Sequence, residues 1–334
     1  MTSNASTSSS SSGGRSARVL SIQSHTVHGY VGQKASTFPL ELLGIEVDPL
    51  NSVQLSNHKG YPKGAKGQVL QGDQLQEIVD GLDANGLLAG YTHLLTGYMG
   101  SVSFLRAVIS VVRRLRDCNP DLIYFCDPVM GDHGKFYVPL EIVDVYREEI
   151  VPLATVLTPN QFEIEQLTGM QIENENKAWE ACDALHARGV QTVIVTSCYF
   201  EHSADEVVLL ASCMDGIVRQ QSPAPGETGS PKRQARIAPV RYAVRIPLIE
   251  GRYSGTGDLM AALLLAWTSR SPGDFEKALE HSCATIHAVI RRTYDSVTKG
   301  ENSHRELRII QSAADIIHPP VDDMPKSMRV TQRT

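Results

Sequence analysis

Short runs of β-branched and aliphatic residues alternate with longer segments of helical period along most of this chain, and that alternation constrains its fold more than any other feature. The runs are Arg18 to Gln23, His93 to Thr96, Leu122 to Cys126, Thr155 to Leu157, Thr192 to Thr196 and Val207 to Ala211. Parallel strands cannot be joined by a tight turn and need a crossover, usually a helix, so this alternation predicts an α/β fold. Its central sheet should be mostly parallel, with helices on both faces. The clearest helix is Ser101 to Asp117: Ser101 sits where an N-cap belongs, and Val102, Leu105, Val108, Ile109, Val112 and Leu115 recur at three- and four-residue spacing. Ligands of such sheets gather beyond the carboxyl ends of the strands. The loops leaving the strands are therefore where chemistry is expected.

At roughly 150 residues per domain, 334 residues suggest two domains. The candidate site residues are nevertheless spread over most of the chain, which favours one domain over residues 18–317. Residues 2 to 14 contain only Ser, Thr, Asn, Ala and Gly, a composition too polar to offset its chain entropy, and residues 1–17 are expected to be a disordered tail. The tail reads as cytoplasmic; its serines, Arg15, Arg18 and the absence of acid before Glu41 are weakly compatible with organellar targeting. The Pro-containing segment 318–334 is expected to be loose. Residues 216–238, rich in Pro and Gly with Lys232, Arg233 and Arg236, read either as a flexible loop over a ligand or as a tolerated surface insertion. Thirty-one basic against 37 acidic side chains give a net charge of −6, which argues against nucleic acid. No apolar run approaches the roughly 20 residues of a membrane span. Six cysteines without a C-x-x-C pair fit reduced thiols better than disulfides or zinc.

Four strand ends carry chemistry. Gly255-Thr256-Gly257-Asp258 precedes the apolar run Leu259 to Trp267, which reads as a helix buried nearly all round. Its glycines allow a tight turn, and the amides at such a helix start form an anion site. Asp258 in the first turn is either an ordinary dipole-compensating carboxylate or a base for a hydroxyl attacking phosphate. Asp127 and Asp132 follow the Leu122 strand and either bind magnesium or belong to an Asp-Pro turn and a solvated loop. In Thr158-Pro159-Asn160-Gln161-Phe162-Glu163, the spacing predicts Thr158 as N-cap, Pro159 at the first helical position and Gln161 closing a capping box. That leaves Asn160 and Glu163 for the rim near Asp127, where Glu163 can hold a metal through water. Finally, Ser24 ends the first strand before Gly29-Tyr30-Val31-Gly32, offering a hydroxyl to a heteroaromatic ring or simply closing a βα turn.

Taken in order, Ser21 to His25, Gly29 to Gly32, Ser56-Asn57-His58, Leu95 to Tyr98, Cys126 to Val129, Thr158 to Glu163 and Gly255 to Asp258 make the chain resemble the pyridoxal kinases of the ribokinase superfamily, the eukaryotic members most of all. The resemblance runs from about Arg18 to Pro319. It implies a ribokinase-like fold and ATP-dependent phosphorylation of the 5′-hydroxymethyl group of pyridoxal, pyridoxine and pyridoxamine. Asp258 would be the base, and the amides of Gly255, Thr256 and Gly257 would stabilise the transferring phosphoryl group. Asp127, Asp132 and Glu163 would organise Mg²⁺ and the ATP phosphates. Asp127 and Thr158 would lie near a monovalent cation such as K⁺ or Na⁺, and Thr196 would belong to the metal-binding set as well.

The resemblance further implies that Asn160 with its neighbours Gln161 and Phe162, together with Thr196, Ser197 and Tyr137, lines the nucleotide side. Ser24 and Tyr98 would meet the pyridine ring. Lys59 departs from the pattern, standing where many relatives have Thr; it turns to solvent, pairs with the substrate phenolate, or weakens binding. A homodimer is implied as well. Two other functions remain to be weighed: a kinase of the same fold acting on hydroxymethylpyrimidine, and a vitamer-binding protein without catalysis.

Overall fold

The computed structural model describes residues 16–214, 238–302 and 304–333. Its strands are β1 (Arg18–Thr26), β2 (Glu46–Leu55), β3 (Gly67–Val69), β4 (His93–Thr96), β5 (Ile123–Cys126), β6 (Gly131–Asp132), β7 (Lys135–Phe136), β8 (Val156–Leu157), β9 (Thr192–Cys198), β10 (Glu206–Cys213), β11 (Val240–Pro247) and β12 (Thr331–Arg333). Its helices are α1 (Gln33–Leu42), α2 (Gly72–Ala84), α3 (Val102–Cys118), α4 (Glu141–Val145), α5 (Gln161–Thr168), α6 (Glu175–His186), α7 (Thr256–Arg270), α8 (Phe275–Thr298) and α9 (Ala313–Ile317). Ten strands form one sheet in the order β12-β11-β10-β9-β8-β5-β4-β1-β2-β3. The central pairs, from β2 through β1, β4, β5 and β8 to β9, are parallel. Both flanks are antiparallel: β3 on one side, and β10, β11 and β12 on the other.

Each face of the sheet carries its own core. One packs Leu20, Ile22, Leu94 and Tyr124 against α2 to α6, including Phe104, Val108 and Leu115 of α3. The other packs Val19, Leu95, Phe125 and Val156 against α1, α7, α8 and α9. The alternation of Val19 and Leu20 between the two cores follows from successive strand side chains pointing to opposite faces. Helix α3 starts as its sequence predicts, with the Ser101 hydroxyl accepting from the Phe104 amide at 3.4 Å. Helix α7 is buried at every position from Leu259 to Thr268, because it lies between the sheet, α1 and α8.

Several expectations need correction. The segment 318–334 is not uniformly loose: Met328 is fully buried, and Thr331–Arg333 pairs with β11 as an edge strand. Main-chain pairing and one methionine anchor hold a segment whose composition reads as a tail. Strand β2 contains Pro49 opposite Ser21, and proline masked its strand character. The residues 1–15 and 215–237 lie outside the described residues, so the expected N-terminal tail and most of the 216–238 loop do too. All six cysteines are free, Cys118 exposed and the other five buried. No helix among the described residues is long and apolar enough to cross a membrane.

Candidate active site at the strand ends

Asp127 leaves β5 with its amide donating to the Thr96 carbonyl at 2.9 Å, which fixes its side chain above the sheet edge. Helix α7 starts beside it: a Cβ added to Gly257 would stand 3.6 Å from Asp127 Oδ2. Gly255 caps that helix at φ +89°, and a Cβ there would fall 2.1 Å from the Tyr30 carbonyl. Only glycine satisfies both the left-handed backbone and the close approach. Asp258 in the first turn lies near enough to the Gly32 amide for that donor to favour its anion. Gly32 in turn is pressed against Ser24, whose hydroxyl would lie 2.4 Å from an added Cβ. Ser24, Gly32, Asp127, Gly257 and Asp258 therefore meet, although they come from three separated stretches of sequence.

Glu163 completes the buried group. Its Oε1 accepts from the amides of Met130 at 2.9 Å and Gly131 at 3.4 Å, and its Oε2 accepts from the Asn160 amide at 2.9 Å. The capping box expected between Thr158 and Gln161 is formed instead by Asn160 and Glu163, because α5 begins at Gln161. The pair thus has a local structural function as well as its position beside Asp127. Asn160 also donates from Nδ2 to the Gly131 carbonyl at 2.8 Å, so α5 holds the β6–β7 hairpin from two directions.

Burial pushes the carboxyls of this group upward. Asp127 is raised well above the ordinary range by loss of water and by the charges of Glu163 and Asp258. Glu163 is pushed up to about 8, burial outweighing its three amide donors. Asp258, only partly buried, also rises through loss of water, partly offset by the Gly32 amide. Loss of water thus makes the Asp258 carboxylate more basic than an exposed aspartate. The Thr158 hydroxyl is buried and finds no partner within hydrogen-bond geometry, yet lies near enough to Asp127 to favour its anion.

The remaining candidates form a more open rim. Asp132 accepts from its neighbour His133 at 2.8 Å, and Tyr137 is bonded through its amide to the Met130 carbonyl at 2.8 Å, its side chain exposed. Lys59 is exposed yet engaged within this rim. Its ammonium donates to the Tyr98 hydroxyl at 2.7 Å and reaches the Tyr137 carbonyl at 3.4 Å. On the opposite side, the Thr196 amide donates to the Pro159 carbonyl at 2.9 Å. Ser197 is the next residue of β9, followed closely by Tyr199. Gln161 bonds the Tyr199 amide and the Ile172 carbonyl, and Phe162 packs edge-on against Phe136, so both side chains are committed to framework contacts. Thr256 donates weakly to the Tyr253 carbonyl at 3.4 Å.

Sequence reasoning missed Glu306, whose carboxylate receives Tyr30, Tyr61 and His58 at the edge of this site. Nothing in the local sequence around Glu306 signals those contacts, which all come from the first fifth of the chain.

Residues 91–223 match the family model described as phosphomethylpyrimidine kinase. The chain is 49% identical over 309 residues to a pyridoxal kinase of Arabidopsis thaliana, covering 91% of this chain and 93% of that protein. It is 43% identical to a pyridoxal kinase of Sus scrofa, covering 92% and 95% of the respective chains. The solved structure of pyridoxal kinase from Leishmania donovani in complex with ADP and pyridoxine superposes with a TM-score of 0.81 at 35% identity, over 95% of this chain and 99% of that one. With the carboxylates of Asp127, Glu163 and Asp258 near the glycine turn that starts α7 on a ribokinase-like sheet, and with identity of this extent over nearly the whole chain, the protein is a phosphotransferase that belongs to the pyridoxal kinase family.

Proposed function

We propose that this enzyme transfers the γ-phosphoryl group of ATP to the 5′-hydroxymethyl group of pyridoxal, pyridoxine and pyridoxamine. The observation that carries the reading is the meeting of Asp258, Asp127 and the Gly255–Gly257 helix start at one strand edge. In the transfer, the substrate oxygen forms a bond to the γ-phosphorus and the bond to the bridging oxygen of ADP breaks. The hydroxyl proton passes to the Asp258 carboxylate. Amides at the start of α7 face the growing charge on the equatorial oxygens, where fixed donors contribute most.

The donor set suits a hydrated divalent cation. Glu163 and Asp258 raise the proton affinity of Asp127, and the Thr158 hydroxyl is orphaned beside it. Among the described residues, however, no three His, Cys, Asp or Glu side chains close on one point. That fits Mg²⁺, which keeps waters and takes one or two carboxylates together with phosphate oxygens. Asp127 would hold it, with Glu163 and Asp132 in reach through water. When bound, the ion would neutralise phosphate charge. Thr158, Thr196 and Asp127 are assigned to a monovalent cation, and Asn160 and Tyr137 to the nucleotide. Lys59, Tyr98 and Ser24 are assigned to the vitamer. Homodimer assembly rests on the family resemblance alone, and a cytoplasmic location on the composition of the N-terminal tail and the scattered cysteines.

The test is incubation with Mg·ATP and either pyridoxal or hydroxymethylpyrimidine, following ADP release and the phosphorylated product by mass spectrometry. Phosphopyridoxal formed far faster than the pyrimidine product is the expected result. Preferential pyrimidine phosphorylation would support the activity named in the matched family model, and binding of pyridoxal without product would support a non-catalytic role.

A further inference from the structure

Glu306 lies far beyond the α7 motif in sequence, yet it is bonded to two loops of the site. Its own backbone is clamped to the end of α8. The Glu306 amide donates to Asn302 Oδ1 at 3.1 Å, while Asn302 Nδ2 donates to the Glu306 carbonyl at 2.7 Å and lies 3.2 Å from Ser296 Oγ. From that anchor the carboxylate accepts the Tyr30 amide at 2.9 Å on Oε2, and the Tyr61 hydroxyl at 2.7 Å on Oε1. His58 Nε2 stands 3.2 Å from the same Oε1.

Both nitrogens of His58 are engaged. Nδ1 accepts from the Gly60 amide at 3.1 Å, so Nε2 carries the proton that is donated to Glu306. Residues 58–60 are thereby fixed at both edges of the imidazole, and Lys59 between them is aimed at Tyr98. The second arm leads to the phosphoryl side. Tyr30, held through its amide, presents the carbonyl against which Gly255 packs too closely for any side chain. Gly29 makes room for the carboxylate itself, since a Cβ there would lie 2.6 Å from Oε2 at φ +97°.

We propose that Glu306 is a positioning residue for phosphoryl transfer, setting the Lys59 rim and the Gly255 turn in register through His58 and Tyr30. The inference rests on the phosphotransfer reading of the site. A side chain that merely held the fold together would change the amount of folded protein without changing how each folded molecule handles either substrate.

The test is Glu306→Gln, which keeps the side-chain length but replaces one acceptor oxygen with a donor and cannot serve all three partners. Misplacement of reacting groups is costly, and kcat/KM for pyridoxal should fall by about tenfold or more. Hydrogen exchange of the amides in 29–32 and 58–61 should quicken by about tenfold or more while the interiors of α7 and α8 keep their protection. His58→Ala breaks the Lys59 arm alone: KM for pyridoxal should rise several-fold and KM for ATP should stay within about twofold. Unchanged exchange in both loop segments of Glu306→Gln, or, in His58→Ala, two KM values that stay unchanged or move equally, would overturn the proposal. If Glu306→Gln fails to fold, His58→Ala decides by the same two readouts. Exchange needs no turnover, so a wild-type enzyme that leaves pyridoxal unphosphorylated overturns the functional reading, while the exchange result still decides whether Glu306 sets the loops.

Discussion

Glu163 and Glu306 each place a carboxylate where three donors converge, one beside Asp127 and the other behind the rim that carries Lys59. Glu163 receives the amides of Met130, Gly131 and Asn160 and is pushed up to about 8; Glu306 receives Tyr30, Tyr61 and His58 and is held down at about 2. For Glu163, complete burial outweighs the donors, and Asp132 nearby adds like charge. Burial also raises Glu306, but it keeps some access to water and its donors together prevail. Donor count alone therefore does not fix a carboxyl's proton affinity; the depth of burial and the neighbouring charge decide. A site that must accept a cation and a proton benefits from the first arrangement. One that must hold loops rigid across pH benefits from the second.

The widest break in this contrast comes from Asp258, the carboxylate near Asp127 assigned to proton transfer. Asp258→Asn should lower turnover by about 10²-fold or more while leaving ATP and pyridoxal binding measurable by calorimetry. Near-normal turnover would remove it from the mechanism. The next two variants separate the glutamates by the sign of their pH dependence. Glu163 retains its proton in the folded state up to about 8, whereas the unfolded chain releases it near the ordinary 4.5. Its contribution to stability is thus present below 4.5 and is lost as pH rises through that window to 8. Glu163→Gln should flatten the decline of Tm between pH 5 and 8, and an unchanged slope would remove Glu163 as its source.

Glu306 behaves in the opposite sense. Its folded value near 2 lies below the ordinary 4.5, so its contribution is present above 4.5 and is lost as pH falls toward 2. In Glu306→Gln, the loss of Tm on acidification below pH 4.5 should be shallower than in wild type, read by calorimetric melting across that range. The smallest effect concerns Lys59. Its ammonium bonds one hydroxyl at an accessible rim, and Lys59→Thr should alter KM for pyridoxal by about twofold to fivefold, the scale of one such bond. Initial rates on pyridoxal, pyridoxine and pyridoxamine would show whether that change depends on the vitamer.

Much of the fold was legible because its signals are local. The helix start at Ser101, the six aliphatic runs and the fully buried character of Leu259 to Trp267 all follow from spacing that short-range geometry imposes. Strand β2 was hidden by Pro49, and β12 by a polar, Pro-containing neighbourhood. In both, pairing with an adjacent strand supplies what propensity does not. The cap at α5 shifted from Thr158 to Asn160 because the Asn160–Glu163 pair satisfies the helix start while also receiving the Met130–Gly131 loop. Two capping registers were compatible with the sequence, and the tertiary contact selected one.

By itself, the sequence determined the α/β alternation, the glycine turn before α7 and the identity of the acids available at the strand ends. These depend on residue type and on separations of a few positions. Only the tertiary structure decided that Asp127, Glu163 and Asp258 share one dehydrated region, that Lys59 meets Tyr98, and that Glu306 reaches back to Tyr30 and His58. Proton affinity and loop register depend on distance through space and on exclusion of water, and neither is encoded at any single position of the chain.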